Sequence, residues 1–221
     1  MATWLVIAAE RRELDGILKR FGVGRKLDWP AGFAREVDWK ADRWLLIANG
    51  PGKRLVEEVL RNRIEVSGII STGFCGALDP ALRIGEIVID IAATQPRECR
   101  PARAWKILSM ARVAVTSVEK CALHRETGAA AVEMEAAAIA EKAKEWGVPF
   151  YSIRAVSDTA SEDMPLDFNL YRDAAGRFSR SRIALAAMAR PFSAIPALLR
   201  LNRHCRIAAE SLGDFFADCR L

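Results

Sequence analysis

The stretch Ala131-Val132-Glu133-Met134-Glu135-Ala136-Ala137-Ala138-Ile139-Ala140-Glu141-Lys142-Ala143-Lys144-Glu145, with the apolar run Pro149–Val156 and Ser157-Asp158 behind it, decides the fold class. The alanine-rich part reads as a helix. Counted from Glu135, one of its faces carries Ile139, Ala143 and Trp146, all apolar. The run after it has the length and composition of a buried strand. Two carboxylates, Glu133 and Glu135, stand at the mouth of the helix. A carboxylate heading a face meant for the core is costly unless something polar meets it there. The pair is therefore a candidate ligand contact. Arg154, inside the strand, calls for an anion or a carboxylate partner.

The same alternation continues towards the N-terminus. Thr3–Ala9, Phe33–Trp39, Arg43–Asn49, Val66–Thr72 and Ile84–Ala92 read as strands, and Arg112–Thr116 as a further short one. Glu10–Arg20, Lys53–Arg63 and Val118–Thr127 read as helices. The stretch from Ala93 to Lys106, with Pro96 and Pro101, is irregular. After a polar loop through Pro165 the chain is mostly helix, punctuated by Gly176, Pro191 and Pro196. Strands alternating with helices predict an α/β domain with a largely parallel sheet and helices on both faces. The 221 residues are expected to form one such three-layer domain, with a basic helical C-terminal extension from about residue 177.

Composition excludes several classes. No apolar run reaches the roughly 18 to 20 residues of a membrane-spanning helix, and the N-terminus lacks a basic leader. The net charge of +5 sits wholly beyond Gly176, where eight arginines face Glu210, Asp214 and Asp218. The body is neutral, so a nucleic-acid partner is not expected. Five cysteines without a Cys-x-x-Cys pair fit reduced thiols in a cytoplasmic protein. His124 and His204 stand alone, which leaves no metal cluster to draw.

In a parallel sheet, ligands bind beyond the carboxyl ends of the strands. The segments there are Glu10–Glu13, Gly73–Gly76 and Ser157-Asp158. Taken singly, each has an ordinary reading: a solvated first helical turn, a tight turn out of the sheet, and a helix N-cap. Gly50-Pro51-Gly52-Lys53 is not a phosphate loop, because Ile47 and Arg54 stand where glycine and Ser or Thr are required. It reads as a turn into a helix.

In combination the segments say more. Thr72-Gly73-Phe74-Cys75-Gly76-Ala77-Leu78-Asp79-Pro80, Val132-Glu133-Met134-Glu135-Ala136 and Arg154-Ala155-Val156-Ser157-Asp158 occur in this order. Together they resemble the purine nucleoside phosphorylase and methylthioadenosine/S-adenosylhomocysteine nucleosidase family, over Ile7 to about Asp158. The resemblance implies a single α/β domain around a mixed sheet and cleavage of the bond between ribose and a purine, most of all in a 5′-substituted adenosine. It implies that Asp158, beside Ser157, is the acid at purine N7. Glu13 is the base that polarises the attacking water, with Glu10 in reserve. Glu135 grips the ribose diol, Met134 packs on the sugar and Glu133 belongs to the same motif. Thr72, Gly73, Phe74 and Gly76 border the substrate, and Arg154 lies in the region of the nucleophile. No metal or cofactor is implied, phosphate is a candidate co-substrate, and a homo-oligomer is expected.

The chain departs from the family's pattern in three places: Phe74 replaces a small residue, the stretch between Asp90 and Val132 is short, and the C-terminal end differs. That end, from Met164-Pro165-Leu166 through Pro196-Ala197-Leu198-Leu199-Arg200, is similar to the hopanoid-associated phosphorylase branch, which implies a lipid-linked adenosine. Leu198, Leu201, Cys205, Ala208, Leu212 and Phe215 line one side of the last helix. They fit either docking on the core or, with the neighbouring arginines, contact with the inner face of an anionic membrane. A non-catalytic nucleoside-binding protein of the same fold is the competing functional expectation.

Overall fold

A computed structural model describes residues 1–96, 103–219 and 221. Strand β1 (Thr3–Ala8) is followed by a 3₁₀ turn at Arg11–Glu13 and helix α1 (Asp15–Phe21). Strands β2 (Arg25–Lys26), β3 (Phe33–Trp39) and β4 (Asp42–Ala48) come next, then α2 (Lys53–Val59), β5 (Gly68–Ala77), β6 (Ile87–Asp90), β7 (Arg103–Trp105) and β8 (Ile107–Ser109). Helix α3 (Ser117–Thr127), β9 (Ala131–Glu133), α4 (Ala136–Trp146) and β10 (Phe150–Asp158) complete the sheet-bearing part. A 3₁₀ turn at Phe168–Tyr171, α5 (Arg180–Met188) and α6 (Pro191–Asp218) form the helical end.

The sheet runs β2-β3-β4-β1-β5-β10-β6-β7, and β9 pairs with both β5 and β8. Its centre, β4-β1-β5-β10, is parallel. Antiparallel pairs at β3–β4, β6–β10 and β5–β9 make it mixed. Successive residues of β1 serve opposite cores, as the two-residue period of a strand requires. Trp4, Val6 and Ala8 pack with Ile17, Phe21, Leu212 and Phe216 of α1 and α6. Leu5 and Ile7 pack with Val56 and Val59 of α2 and Ile139 and Trp146 of α4. The fold class read from the sequence holds: three layers around a mixed, mostly parallel sheet. The apolar face counted from Glu135 is the face α4 buries.

The C-terminal half of α6 belongs to the core. Cys205, Ala208, Leu212 and Phe215 are buried. The helix crosses α1 backbone to backbone, since a Cβ on Gly16 would fall 1.7 Å from the Ala209 carbonyl oxygen. Arg20 of α1 bridges Glu210 and Asp214 at 2.6 and 2.7 Å, so two of the tail's few acids are committed to this crossing. Pro191 takes the first helical position, where a missing N–H costs nothing. Pro196 is carried within the helix instead of ending it.

Several expectations need correction. Strand β5 does not stop at Thr72; it runs on through Gly73–Gly76 to Ala77, because β10 and β9 continue to pair with it. Glu133 ends strand β9 and does not open the helix; Glu135 is the N-cap residue. Residues 112–116 form no strand, for side chains satisfy their backbone: Val113 N–H donates to Asn169 and Val115 N–H to Glu119. The short strand lies just before them, at β8. Cys75, Cys121 and Cys205 are free thiols, but Cys219 is disulfide-bonded, contrary to the expectation of five reduced cysteines. Cys99, Pro101 and Arg220 lie outside the described residues. Among the described residues no helix is long and apolar enough to cross a membrane.

Candidate active site

Two glycines of β5 seat two carboxylates. Gly73 has φ +134°, a conformation side-chain-bearing residues rarely adopt, and a Cβ there would lie 2.8 Å from the Glu13 carboxyl carbon. A Cβ on Gly76 would lie 2.9 Å from Asp158 Oδ2. The β5–β10 register sets Arg154 beside Gly73 and Asp158 beside Gly76, with an irregularity between Val156 and Asp158. Glu13 and Asp158 are thus served by positions three residues apart, about 10 Å along the strand. The resemblance sets these glycines at the border of the substrate. Here their bare faces admit carboxylates.

Glu13 is buried at the end of its 3₁₀ turn. It accepts from Glu10 N–H at 2.8 Å and from Phe74 N–H at 2.9 Å. Burial raises its pKa above the ordinary carboxylate range, against the pull of these two bonds. Glu10 instead pairs with Arg12 at 2.5 Å. At the other end, Asp158 accepts from Ser157 Oγ at 2.9 Å and from Lys120 Nζ at 2.6 Å. Lys120 has no exposed surface. Sequence reasoning missed it, because a lysine between Glu119 and Cys121 on a helix reads as a solvated side chain.

Between and beneath them sits Arg154, also without exposed surface. It donates to Thr72 O at 2.9 Å, Ser71 Oγ at 2.5 Å and Glu133 at 2.6 Å, and stands 3.6 Å from Glu135. The partner its place in a strand calls for is therefore a pair of carboxylates. Burial works against its charge, but Glu133, Glu135 and Glu13 hold it protonated. Glu133 is saturated: besides Arg154 it accepts from the N–H groups of Glu135 and Ala136 at 2.8 Å each and from Ser109 Oγ. It caps α4 and fixes the arginine. Glu135 is less committed, accepting from Gly52 N–H at 2.9 Å. Burial pushes its carboxyl up to about 8; Arg154 pulls it back, while the charges of Glu133 and Glu13 add to the rise.

These groups border one cavity of about 650 Å³, within the range of small-molecule sites. Glu13, Phe74, Gly76, Glu133, Met134, Glu135, Ser157 and Asp158 all line it. Thr72, Gly73 and Arg154 do not; Arg154 is turned to the Thr72 carbonyl, Ser71 and the carboxylates, while Thr72 Oγ1 and Arg154 Nε are buried without a hydrogen-bond partner. Phe74 turns its ring towards the Arg12 guanidinium, 5.8 Å away. The opposite wall is apolar, built from Phe168, Phe178, Ile183, Ala184, Leu198 and Leu201. Nothing in the sequence motifs announced this wall. Cys75 and Cys205 also border the cavity, but burial raises both thiols, Cys205 to about 11, so neither is poised as a nucleophile. Among the described residues no cluster of three His, Cys, Asp or Glu side chains is placed to hold a metal.

The layers and topology are those of a nucleoside phosphorylase-like fold. The chain superposes on a mutant of Helicobacter pylori MTAN, solved with 5′-methylthioadenosine in its active site, with a TM-score of 0.67 at 18% identity, covering 98% of this chain and 96% of that one. The futalosine hydrolase of H. pylori strain 26695 gives the same TM-score, identity and coverage. Residues 91–189 match the family model of the Phosphorylase superfamily. A 5′-methylthioadenosine/S-adenosylhomocysteine nucleosidase of Shewanella oneidensis is 48% identical over 56 residues, and one from Shewanella halifaxensis 52% over 50. These stretches span about a quarter of each chain: 25% here and 24% of the first relative, 23% and 22% for the second. The resemblance drawn from the motifs agrees with these comparisons: the fold is that of the solved nucleosidases, and the Phosphorylase superfamily model matches just under half of the chain.

The raised Glu135 carboxyl has a thermodynamic consequence. A carboxylate whose folded pKa exceeds its unfolded value, ordinarily about 4.3, leaves the native state holding the extra proton. Its contribution is full below that value and is lost as pH rises to about 8. Between pH 5 and 8 the urea midpoint of the wild-type protein is expected to fall. In Glu135→Gln the fall should be shallower, with a residue due to Glu13. Parallel profiles for the two proteins would contradict this assignment.

Proposed function

We propose that this protein cleaves the N-glycosidic bond of a purine nucleoside, a 5′-substituted adenosine, with water as the attacking group. The observation that carries the reading is convergence. Glu13, Met134 with Glu135, and Asp158 come from three separate segments and border one cavity. The nucleosidases among the relatives support it. In this reading Asp158 serves purine N7 as the base departs. Glu135, as a carboxylate, accepts from the ribose 2′- and 3′-hydroxyls, keeping its bond to Gly52 on a further lone pair. Met134 packs against the sugar, with Arg172 Nη2 3.4 Å from its sulfur. Glu13, held by two N–H donors, takes the proton of the water. Water is favoured over phosphate because both Nη atoms of Arg154 are spent on Glu133, Ser71 and Thr72 and the side chain has no exposed surface. A non-catalytic binder would need no such pairing of acid and base. A homo-oligomer in the cytoplasm, without a cofactor, accompanies this reading.

Incubation with methylthioadenosine, S-adenosylhomocysteine, adenosine and inosine, with and without phosphate, tests it. Free base should appear independently of phosphate. Asp158→Asn and Glu13→Gln should each lower kcat by about 10²- to 10⁴-fold. Release that survives Asp158→Asn, or that requires phosphate, would contradict the assignment.

A second reading, a lipid-linked 5′ group, is favoured by the apolar wall and by what lies behind it. On the outer side of α5 and α6, Leu185, Met188, Phe192 and Leu199 are exposed, Phe192 at 97%. Residues 177–209 hold seven arginines and no carboxylate. Exposed apolar side chains among arginines suit the surface of an anionic bilayer. Flotation with phosphatidylglycerol vesicles, but not phosphatidylcholine vesicles, is expected, and Phe192→Ser should reduce it. Equal flotation with both lipids, or none, would exclude the membrane part of this reading.

A further inference from the structure

Lys120 takes no part in the roles assigned so far, yet it is among the most completely buried side chains of the protein. Its Nζ reaches Asp158 Oδ2 at 2.6 Å, Thr159 O at 2.8 Å and Glu162 O at 3.0 Å. All three partners are acceptors. A neutral amine has two hydrogens and cannot satisfy three acceptors; an ammonium can. Lys120 is therefore the charged partner of an ion pair. The second Asp158 oxygen accepts from Ser157 Oγ. The one Ser157 hydrogen is shared with Cys75 O at 3.3 Å, so it is the buried ammonium 2.6 Å from Oδ2 that makes Asp158 its carboxylate counter-ion, with no proton of its own to give. The departing purine needs one, and the nearest is on Lys120.

We propose that Lys120 is the proton reservoir behind Asp158, a positioning residue that supplies, through the aspartate, the proton the leaving base takes up. The inference rests on the glycosidic-cleavage reading above. As the C1′–N9 bond breaks, its electron pair passes to the purine ring. Lys120 Nζ gives a proton to Asp158, and N7 takes that proton from Asp158. The base leaves neutral, Asp158 is again a carboxylate and Lys120 is left as an amine. Water adds to C1′ and gives its proton to Glu13. When the base departs, solvent entering the cavity reprotonates Lys120 by way of Asp158, which borders that cavity, and Glu13 returns its proton to solvent. The sum is one water and one nucleoside consumed, and one free sugar and one neutral base released.

The bonds to Thr159 O and Glu162 O also tie the end of β10 to the loop after it, so a merely structural lysine must be distinguished. The leaving group makes the distinction. Adenine departs with a proton; 4-nitrophenolate departs without one. Wild type and Lys120→Met are compared on 5′-methylthioadenosine and on a 4-nitrophenyl riboside. Lys120→Gln, which keeps N–H donors but carries no ammonium, serves the same purpose if the methionine variant does not fold. The expected result is a loss of kcat for adenine release of about 10²-fold or more, in the range of general-acid assistance. KM should stay within a few-fold, and 4-nitrophenolate release should remain near the wild-type rate. Equal losses on the two substrates, or an undiminished adenine rate, would overturn the proposal while leaving the functional reading intact. A wild-type protein that releases neither leaving group would overturn both.

Discussion

The buried ion pair between Arg154 and Glu133 is the constraint on which the rest of this site depends. Both side chains are removed from water, and they meet at 2.6 Å where β10 and β9, the two neighbours of β5 at its carboxyl end, come together. Such a pair is not a cheap source of stability, because desolvating two charges costs several kcal/mol per ion before their attraction offsets it. What it supplies is position. Glu133 spends its oxygens on Arg154, on the first amides of α4 and on Ser109. The start of α4, and Glu135 with it, is therefore locked to β10. Arg154 in turn holds the Thr72 carbonyl of β5. Sheet, helix and carboxylates become one rigid unit.

That unit sorts three carboxylates by environment. Glu133 is fully bonded and structural. Glu135, with a cation 3.6 Å away and one amide donor, is raised by burial to about 8 and retains lone pairs for a diol. Glu13, over Gly73, is also raised by burial. Asp158 departs from this pattern, for its close partner is a buried ammonium. The site thus sets carboxylates inclined to hold protons opposite an aspartate paired with a cation.

Much of this was legible in the sequence. The strand–helix alternation marked the layers, and the period of α4 marked its buried face. The motifs around Glu13, Glu135 and Asp158 marked three residues that do border one cavity. What was not legible depends on contacts between segments remote in the chain. Lys120 meets Asp158 across 38 residues, and nothing local to α3 signals it. Gly50–Lys53, read as a bare turn, presents the Gly52 amide to Glu135 across 83 residues. Gly73 and Gly76 look like turn glycines, because a strand that must bare its backbone to side chains has the same composition as a turn. Arg154 reads as calling for an anion or a carboxylate, and only the fold shows that Glu133 and Glu135 are the carboxylates that answer it. The part of the apolar wall that α5 and α6 supply comes from helices whose spacing fitted docking on the core or contact with a membrane, and not the lining of a cavity.

The central claim is that Asp158 and Glu135 address the base and the sugar of one bound nucleoside. A crystal structure with a non-cleavable 5′-substituted adenosine analogue in the cavity tests it most directly. The account predicts purine N7 within about 2.6–3.2 Å of an Asp158 oxygen, the 2′- and 3′-hydroxyls on Glu135, and the 5′ group along the wall of Phe168, Ile183 and Leu198. A nucleoside bound with its base remote from Asp158, or with its diol away from Glu135, would contradict it.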